Sequence, residues 1–318
     1  MTPATYLFLL LILVAGASNP VRIPPERSPV VTGVSVPASD FLGQPLPGIA
    51  PTRFAAEEVS QGLGERSLVF SPDLTEAYFQ HRDEGGGTSI ARLMLRDGEW
   101  TVAEAPVSSG TSEDNDFGPI LSPDGAMLYF YSDRDGSSGG TDFWVAERWG
   151  SDWSASRRLT APINSSARDE DLSIASDGTI YFSSDRDGGY DIFRAPLVDG
   201  AYPTVERLGA AVNSEHFDGH PCIAPDQRYL VFTSGGRPDD LGDADLYVSF
   251  RQSEGAWSAA VNMGSAINSA AHEASPTLSP DGRYIFFLSE RDGESRIYWV
   301  DVAFVERLRQ LIEPVPRW

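Results

Sequence analysis

The strongest constraint on the fold is an internal repeat with a period of about fifty residues. Each of five segments contains a turn sequence, Ser-Pro-Asp-Gly or a shortened form of it, with an aspartate at the same position. A period of this length is typical of similar units that pack against one another. These aspartates are spaced by 51, 53, 49 and 55 residues: Asp73, Asp124, Asp177, Asp226 and Asp281.

Each unit has the strand content of one propeller blade. A β-rich run ending in phenylalanine follows every turn, then a second polar turn and a third strand, and in four units an aromatic residue begins a fourth strand. Because one four-stranded sheet cannot bury both faces, the units must stack around an axis. The sequence predicts an all-β fold, a single β-propeller of about five four-stranded blades. Six blades are the alternative if residues 29–49 contribute strands.

The fifth unit lacks a fourth strand. After Asp301 the pattern of residues 303–311 becomes helical, with Phe304, Leu308 and Leu311 on one face. The segment 51–59 precedes the first unit, where a fourth strand would lie. We therefore expect an N-terminal strand to close the ring and a short C-terminal helix to follow the last blade.

The N-terminal region divides into two parts. An apolar run at residues 6–14 is followed by Ala15-Gly16-Ala17, the pattern of a signal peptide, and it is shorter than the roughly 20 residues that span a bilayer. Residues 18–48 are rich in proline, which predicts an extended linker. The predicted organisation is a signal peptide (1–17), a linker (18–48), the propeller (49–302) and a helical tail (303–318), in a periplasmic or secreted protein without a membrane span.

An acidic residue recurs eight positions before each turn aspartate, and one arginine follows the second strand of each unit. If the strand after the acid is the innermost of its blade, the carboxylates form a ring at one mouth of the central channel. The acids are Glu65, Asp116, Asp169, Asp218 and Glu273, and the arginines are Arg82, Arg134, Arg186, Arg237 and Arg291.

Two interpretations of this ring stay open. In the first, each acid pairs with an arginine or with backbone amides of the adjoining blade and fixes the register between blades. In the second, the ring remains partly unpaired and binds a cation or a basic peptide segment. The same ring offers one catalytic alternative, glycoside hydrolysis by Glu65 and Glu273. Five equivalent positions argue against it, because catalysis needs unlike environments that separate two pKa values.

Metal sites and nucleophilic catalysis have little sequence support. Asp-rich loops could supply oxygen ligands to calcium, but two of them contain an arginine and none has EF-hand spacing. His216 and His220 flank Asp218 without a third nitrogen ligand nearby, so we interpret them as polar loop histidines. The single cysteine, Cys222, lies in a predicted inner strand, and the four histidines show no association with a Ser or Cys nucleophile. We predict no metal, no cofactor and no catalytic residue.

Several phrases resemble a known repeat. Ile163-Asn-Ser165, Ile267-Asn-Ser269, Leu278-Ser-Pro-Asp-Gly282, Tyr181-Phe-Ser-Ser-Asp-Arg186 and Asp191-Ile-Phe193 are similar to the PD40 (WD40-like) repeat of TolB-like propellers. The resemblance covers roughly residues 50–302. It implies a propeller used as a protein-interaction platform or as an accessory domain of peptidases.

The charge balance excludes one class of partner. The formal net charge is −22 at pH 7, so nucleic acid and anionic lipid would be repelled. We therefore expect a non-catalytic, extracytoplasmic scaffold or sensor that binds a protein or peptide at the propeller mouth. A carbohydrate-active hydrolase that uses carboxylates of the channel mouth is the alternative.

Overall fold

The computed structural model describes residues 41–54, 59, 66–82, 86–103, 106–107 and 114–312, and it shows a five-bladed β-propeller. The first strand among these residues is β1 (Thr52–Arg53). Blade 1 contains β2 (Arg66–Phe70), β3 (Glu76–Arg82), β4 (Thr88–Arg96) and β5 (Glu99–Ala103). Blade 2 contains β6 (Asp116–Leu121), β7 (Met127–Ser132), β8 (Asp142–Trp149), β9 (Asp152–Trp153) and β10 (Arg157–Arg158).

The other three blades follow the same antiparallel order. Blade 3 contains β11 (Asp169–Ile174), β12 (Ile180–Ser184), β13 (Asp191–Ala195) and β14 (Glu206–Arg207). Blade 4 contains β15 (Phe217–Ile223), β16 (Tyr229–Gly235), β17 (Asp245–Phe250) and β18 (Val261–Asn262). Blade 5 contains β19 (Glu273–Leu278), β20 (Tyr284–Ser289) and β21 (Arg296–Asp301). The prediction of about five blades is confirmed.

The N-terminal strand closes the ring, as the sequence predicts. Strand β1 pairs antiparallel with β21, with Thr52 opposite Trp299 and Arg53 opposite Tyr298. The chain before it also contributes to the core, because Phe41 is completely buried against the rings of Phe70, Tyr284 and Trp299. Residues 41–48 therefore belong to the fold, although the sequence placed them in the linker. Residues 1–40, which hold the predicted signal peptide and the rest of the linker, lie outside the described residues.

The core consists of five apolar layers, one between each pair of neighbouring blades. The second strand of each blade supplies an aromatic side chain to these layers, which explains the phenylalanine that ends each β-rich run. Cys222 is buried on β15, and burial raises the pKa of its thiol to about 12. Stacking of blades thus removes from water both faces of sheets that could not fold alone.

The helix α1 (Ala303–Ile312) follows blade 5 and is the one helix in the described part of the chain. Val305 is buried in the layer between blades 4 and 5, with Phe304 and Leu308 partly buried beside it. Leu311, which the sequence placed on the same face, is 79% exposed, so the last turn of the helix extends beyond the core. Within the described residues no helix is both long enough and apolar enough to cross a bilayer.

Candidate functional site

The four described acids of the predicted ring are buried inside their blades. Asp116, Asp169, Asp218 and Glu273 stand at or near the start of the inner strands, and each is 5% exposed or less. Glu65 lies outside the described residues. The four carboxylates therefore do not present their oxygens to solvent at the mouth of the propeller.

Asp169 illustrates how each buried acid is neutralised. One oxygen accepts hydrogen bonds from the Ser184 hydroxyl at 2.7 Å and from the Arg186 guanidinium at 2.5 Å. The other accepts from the backbone amide of Ser165 at 2.7 Å and from its hydroxyl at 2.9 Å. The same pairing recurs at Arg134–Asp116, Arg237–Asp218 and Arg291–Glu273, with N–O distances of 2.5, 2.7 and 3.5 Å.

The arginines also hold the segment that crosses between blades. Arg186 donates to the carbonyls of Pro162 and Ile163 in this crossover. The next residue, Asn164, binds both the amide and the carbonyl of Phe143 in the preceding blade. Acid, arginine and asparagine therefore link one blade to the next through hydrogen bonds to the crossover. Arg82, the fifth arginine, is exposed at the end of β3.

A second ring of residues lies two positions after the acids. Each inner strand has a β-bulge at this point, and the bulged residue has a left-handed backbone with φ between 48° and 54°. Only glycine adopts this conformation without strain, and strained backbones concentrate at functional sites. The ring lines a small axial cavity of about 20 Å³ and consists of Ser67, Gly118, Asp171, His220 and Ser275.

Two titratable members of this ring form a pair across the cavity. Nε2 of His220 lies 3.3 Å from Oδ2 of Asp171, and the Tyr131 hydroxyl also donates to this carboxyl. Nδ1 of His220 is buried and has no hydrogen-bond partner among the described residues. The contact with Asp171 uses Nε2, so Nδ1 is the ring nitrogen left without a partner beside the cavity.

Burial moves the pKa values of this pair in opposite directions. It raises the pKa of Asp171 to about 7, although Tyr131 and Arg66 oppose the shift. It lowers the pKa of His220 to about 4, and the nearby Arg66 and His272 add to the effect. Near neutral pH the imidazole is therefore neutral, and the carboxyl is only partly ionised.

Aromatic side chains surround the pair. Phe117 stacks on Tyr131 with ring centroids 5.1 Å apart, and Phe217 lies 5.7 Å from the His220 ring and 5.6 Å from Tyr190. The Tyr190 hydroxyl donates to Glu170, whose other oxygen accepts from Thr141 at 2.6 Å. We name this connected set of half-buried side chains the axial mouth: Phe117, Tyr131, Glu170, Asp171, Tyr190, Phe217 and His220.

The axial mouth can bind a ligand at its rim but not inside it. A cavity of about 20 Å³ holds one water molecule, since about 10–15 Å³ is the minimum for one. The half-buried aromatic faces and the carboxylate oxygens of Glu170 are suited to polar groups carried on an apolar stem. No group of three or more His, Cys, Asp or Glu side chains arranged to bind a metal occurs in the part of the chain that the structure describes.

The sequence interpretation missed the axial mouth. His220, interpreted as a polar loop residue, lies on the inner strand β15, whereas His216 is exposed on the crossover before it. The repeat register that identified the acids also contains the signal for the second ring, since Asp171 and His220 both follow an acid by two residues. What the register does not show is that these two side chains converge at the axis.

Comparison with known proteins supports the fold. No family model matches the chain, and no curated protein matches it. Among solved structures, a putative TolB from Agrobacterium tumefaciens is 22% identical over 73% of each chain, with a TM-score of 0.45. TolB from Acinetobacter baumannii is 17% identical, with a TM-score of 0.44, and the match covers 74% of this chain and 54% of that chain.

An enzyme has the same fold. An endo-1,4-β-xylanase from Bacteroides thetaiotaomicron is 15% identical over 76% of this chain and 91% of that chain, with a TM-score of 0.50. The chain is therefore a five-bladed β-propeller whose structural neighbours include TolB proteins and a glycoside hydrolase. Identities this low concern the fold alone, so function has to be argued from the side chains.

Proposed function

We propose that this protein is a non-catalytic, extracytoplasmic binding module that takes a segment of a partner protein on the axial mouth. The observation that carries the proposal is the row of half-buried aromatic rings, Phe117, Tyr131, Tyr190 and Phe217, around the Asp171–His220 pair. Partly exposed aromatic side chains are enriched at protein-interaction surfaces. The cavity of about 20 Å³ beneath them has no room for a sugar ring.

The burial of Glu273 argues against a hydrolase that uses Glu65 and Glu273. Glu273, the described member of the carboxylate pair expected in a hydrolase, is completely buried. Its oxygens accept hydrogen bonds from Ser269 and Ser289, and Arg291 lies 3.5 Å away. A carboxylate in this environment does not reach a substrate, which argues against Glu273 as a catalytic residue.

Capture of a partner tests the proposal. The mature chain is expected to retain a partner from envelope or culture fractions of its source, and Phe117→Ser with Phe217→Ser is expected to lose it because the aromatic contact area disappears. Trp149→Ser is the matched control. Trp149 is 79% exposed at the end of β8, and it is well separated in sequence from Phe117 and Tyr131, the mouth residues of the same blade. Each variant is checked for folding by circular dichroism. Loss of capture with Trp149→Ser alone would contradict the proposal.

One observation favours a second candidate function. Glu170 and Asp171 are adjacent carboxyls in the axial mouth, and burial raises the pKa of both. Perturbed carboxyls in a concave site are candidates for general acid and base. A hydrolase acting at the rim, with Glu170 and Asp171 in place of the predicted Glu65 and Glu273, is therefore the alternative.

A turnover screen separates the two functions. With aryl glycosides and oligosaccharides as substrates, the binding module is expected to give no hydrolysis above the buffer rate. A measurable rate that Glu170→Gln or Asp171→Asn abolishes, with Asp187→Asn unaffected, would establish the hydrolase instead.

A further inference from the structure

The loops on the mouth side of the propeller differ in length. Nine residues, 133–141, join β7 to β8 in blade 2, and nine residues, 236–244, join β16 to β17 in blade 4. Only six residues, 185–190, make the same connection in blade 3. The sequences Asp133-Arg-Asp-Gly136 and Asp185-Arg-Asp-Gly188 begin both types of loop in the same way, so the difference arises after the glycine.

Each long loop covers the crossover to the next blade. A Cβ atom on Gly139 would lie 2.0 Å from the carbonyl oxygen of Ser166, and one on Gly242 would lie 1.9 Å from that of Ala271. The two loops therefore rest directly on the backbone of the crossover that follows. Glu215 occupies the corresponding position after blade 3, two residues beyond the asparagine of its crossover, and its side chain is 89% exposed.

A groove lies between blades 3 and 4, over the crossover that a longer blade 3 loop would cover. The groove has a volume of about 490 Å³, which lies within the roughly 300–1,000 Å³ of ligand-binding clefts. Arg207 borders it on blade 3, residues 213–216 form its floor, and Arg237 and Asp239 border it on blade 4. Its inner end adjoins the axial mouth, because His216 on the floor directly precedes Phe217.

Among the described residues, the two carboxylates at the groove rim have no arginine or lysine partner. Arg207 donates two hydrogen bonds of 2.7 Å to Asp191, and Arg237 donates to Asp218 at 2.7 Å, so both guanidinium groups are neutralised within the fold. Glu215 and Asp239 are exposed at the rim, and the whole chain carries a formal charge of −22. These negative charges attract a cationic ligand and repel an anionic one.

We propose that the groove between blades 3 and 4 binds an extended, lysine- or arginine-rich segment of the partner protein, which continues into the axial mouth. The inference rests on the proposed binding function and adds a second contact surface to it. Glu215 and Asp239 pair with the basic side chains, and the missing part of the blade 3 loop provides the space for the peptide backbone.

Closing the groove tests this inference directly. Insertion of Ser-Ser-Gly between Gly188 and Gly189 gives the blade 3 loop the same length as the blade 2 loop and the same first eight residues. The insertion leaves Tyr190 of the axial mouth in place. Insertion of the same tripeptide between Asp97 and Gly98, an exposed turn of blade 1, is the control. The probe is a fluorescein-labelled hexapeptide of alternating lysine and alanine, measured by fluorescence anisotropy at pH 8, where exposed histidines are neutral.

We expect the lysine peptide to bind the unmodified chain and the control, and to bind the closed-groove chain at least about tenfold more weakly. Glutamate–alanine and serine–alanine peptides of the same length are expected not to bind. Equal binding to all three chains, binding of the glutamate peptide, or no binding of the lysine peptide to the unmodified chain would overturn the inference.

A charge variant keeps the test decisive if the insertion disturbs folding. Glu215→Gln with Asp239→Asn is expected to weaken binding of the lysine peptide by about tenfold. The control pair, Glu99→Gln with Asp199→Asn, changes the net charge equally at exposed sites elsewhere and is expected to leave binding unchanged. If both double variants weakened peptide binding equally, the effect of charge would be non-specific, and the proposed binding at the groove would be wrong. A different result would contradict the proposed function itself: partner capture that does not change with Phe117→Ser and Phe217→Ser in the axial mouth.

Discussion

Replacing Asp169 by alanine is expected to lower the free energy of unfolding by about 3–5 kcal/mol. Asp169 is completely buried, and the Arg186 side chain that it neutralises is only 15% exposed. Without the carboxylate, the guanidinium remains inside the blade without its counter-charge, and the amide of Ser165 loses its acceptor. The loss affects two neighbouring blades at once, because Arg186 also binds the crossover between them.

Urea unfolding at pH 7 measures this effect. Asp187→Ala is the matched control, an exposed aspartate of the same blade, and it is expected to change stability by less than about 0.5 kcal/mol. In a double-mutant cycle, Asp169→Ala combined with Arg186→Met should cost clearly less than the sum of the two single changes, since neither charge is then left alone. A folded Asp169→Ala chain within about 1 kcal/mol of the unmodified protein would show that the pair is not structural.

The fold could be predicted from the sequence because its determinants are local and repeated. A Pro-Asp-Gly turn, an aromatic strand and a second polar turn specify each hairpin from neighbouring residues, and five copies at a regular spacing leave few alternatives to stacking around an axis. The missing strand of blade 5 likewise identified β1 as the strand that closes the ring. The burial of Phe41 was not predicted, because an isolated aromatic residue in a proline-rich segment belongs to no periodic pattern.

The axial mouth could not be predicted in the same way. Asp171 and His220 lie on different blades, and they approach each other only because a bulge in each inner strand turns the side chain toward the axis. A repeat shows which positions are equivalent but not how members of different units meet. The groove between blades 3 and 4 is an intermediate case, since the shorter loop is visible in the sequence but the backbone that it leaves uncovered is not.

Replacing His220 by glutamine is expected to make the protein less stable, relative to the unmodified chain, as the pH rises from about 4 to about 6.5. The His220 side chain has a pKa of about 4 in the folded protein against 6.5 in a free histidine. Between these values the unfolded chain binds the extra proton, so His220 contributes stability that increases with pH. Removing the imidazole removes this increase, which is on the order of 2–4 kcal/mol over the interval.

Asp171→Asn is expected to give a pH dependence of the opposite sign. The carboxyl has a pKa of about 7 when folded against 3.8 when free, so between these values the folded state binds more protons and stability falls as the pH rises. The variant therefore gains stability over the unmodified protein, by an amount on the order of 2–4 kcal/mol, as the pH increases from about 4 to about 7. In the unmodified chain the two slopes oppose each other, so the pair confers little net pH dependence.

Urea unfolding of all three chains at pH 4.5, 5.5, 6.5 and 7.5 measures the two differences, with His216→Gln as the control because His216 is exposed on the crossover. Arg66, Glu170, Tyr131 and His272 act on the pair in every chain, so their contributions largely cancel in the differences. Differences of opposite sign confirm that both groups are buried at the axis in their neutral forms. If neither variant differed in pH dependence from the unmodified chain, water would have free access to the axial cavity, and the binding surface would have to be sought in the groove rather than at the mouth.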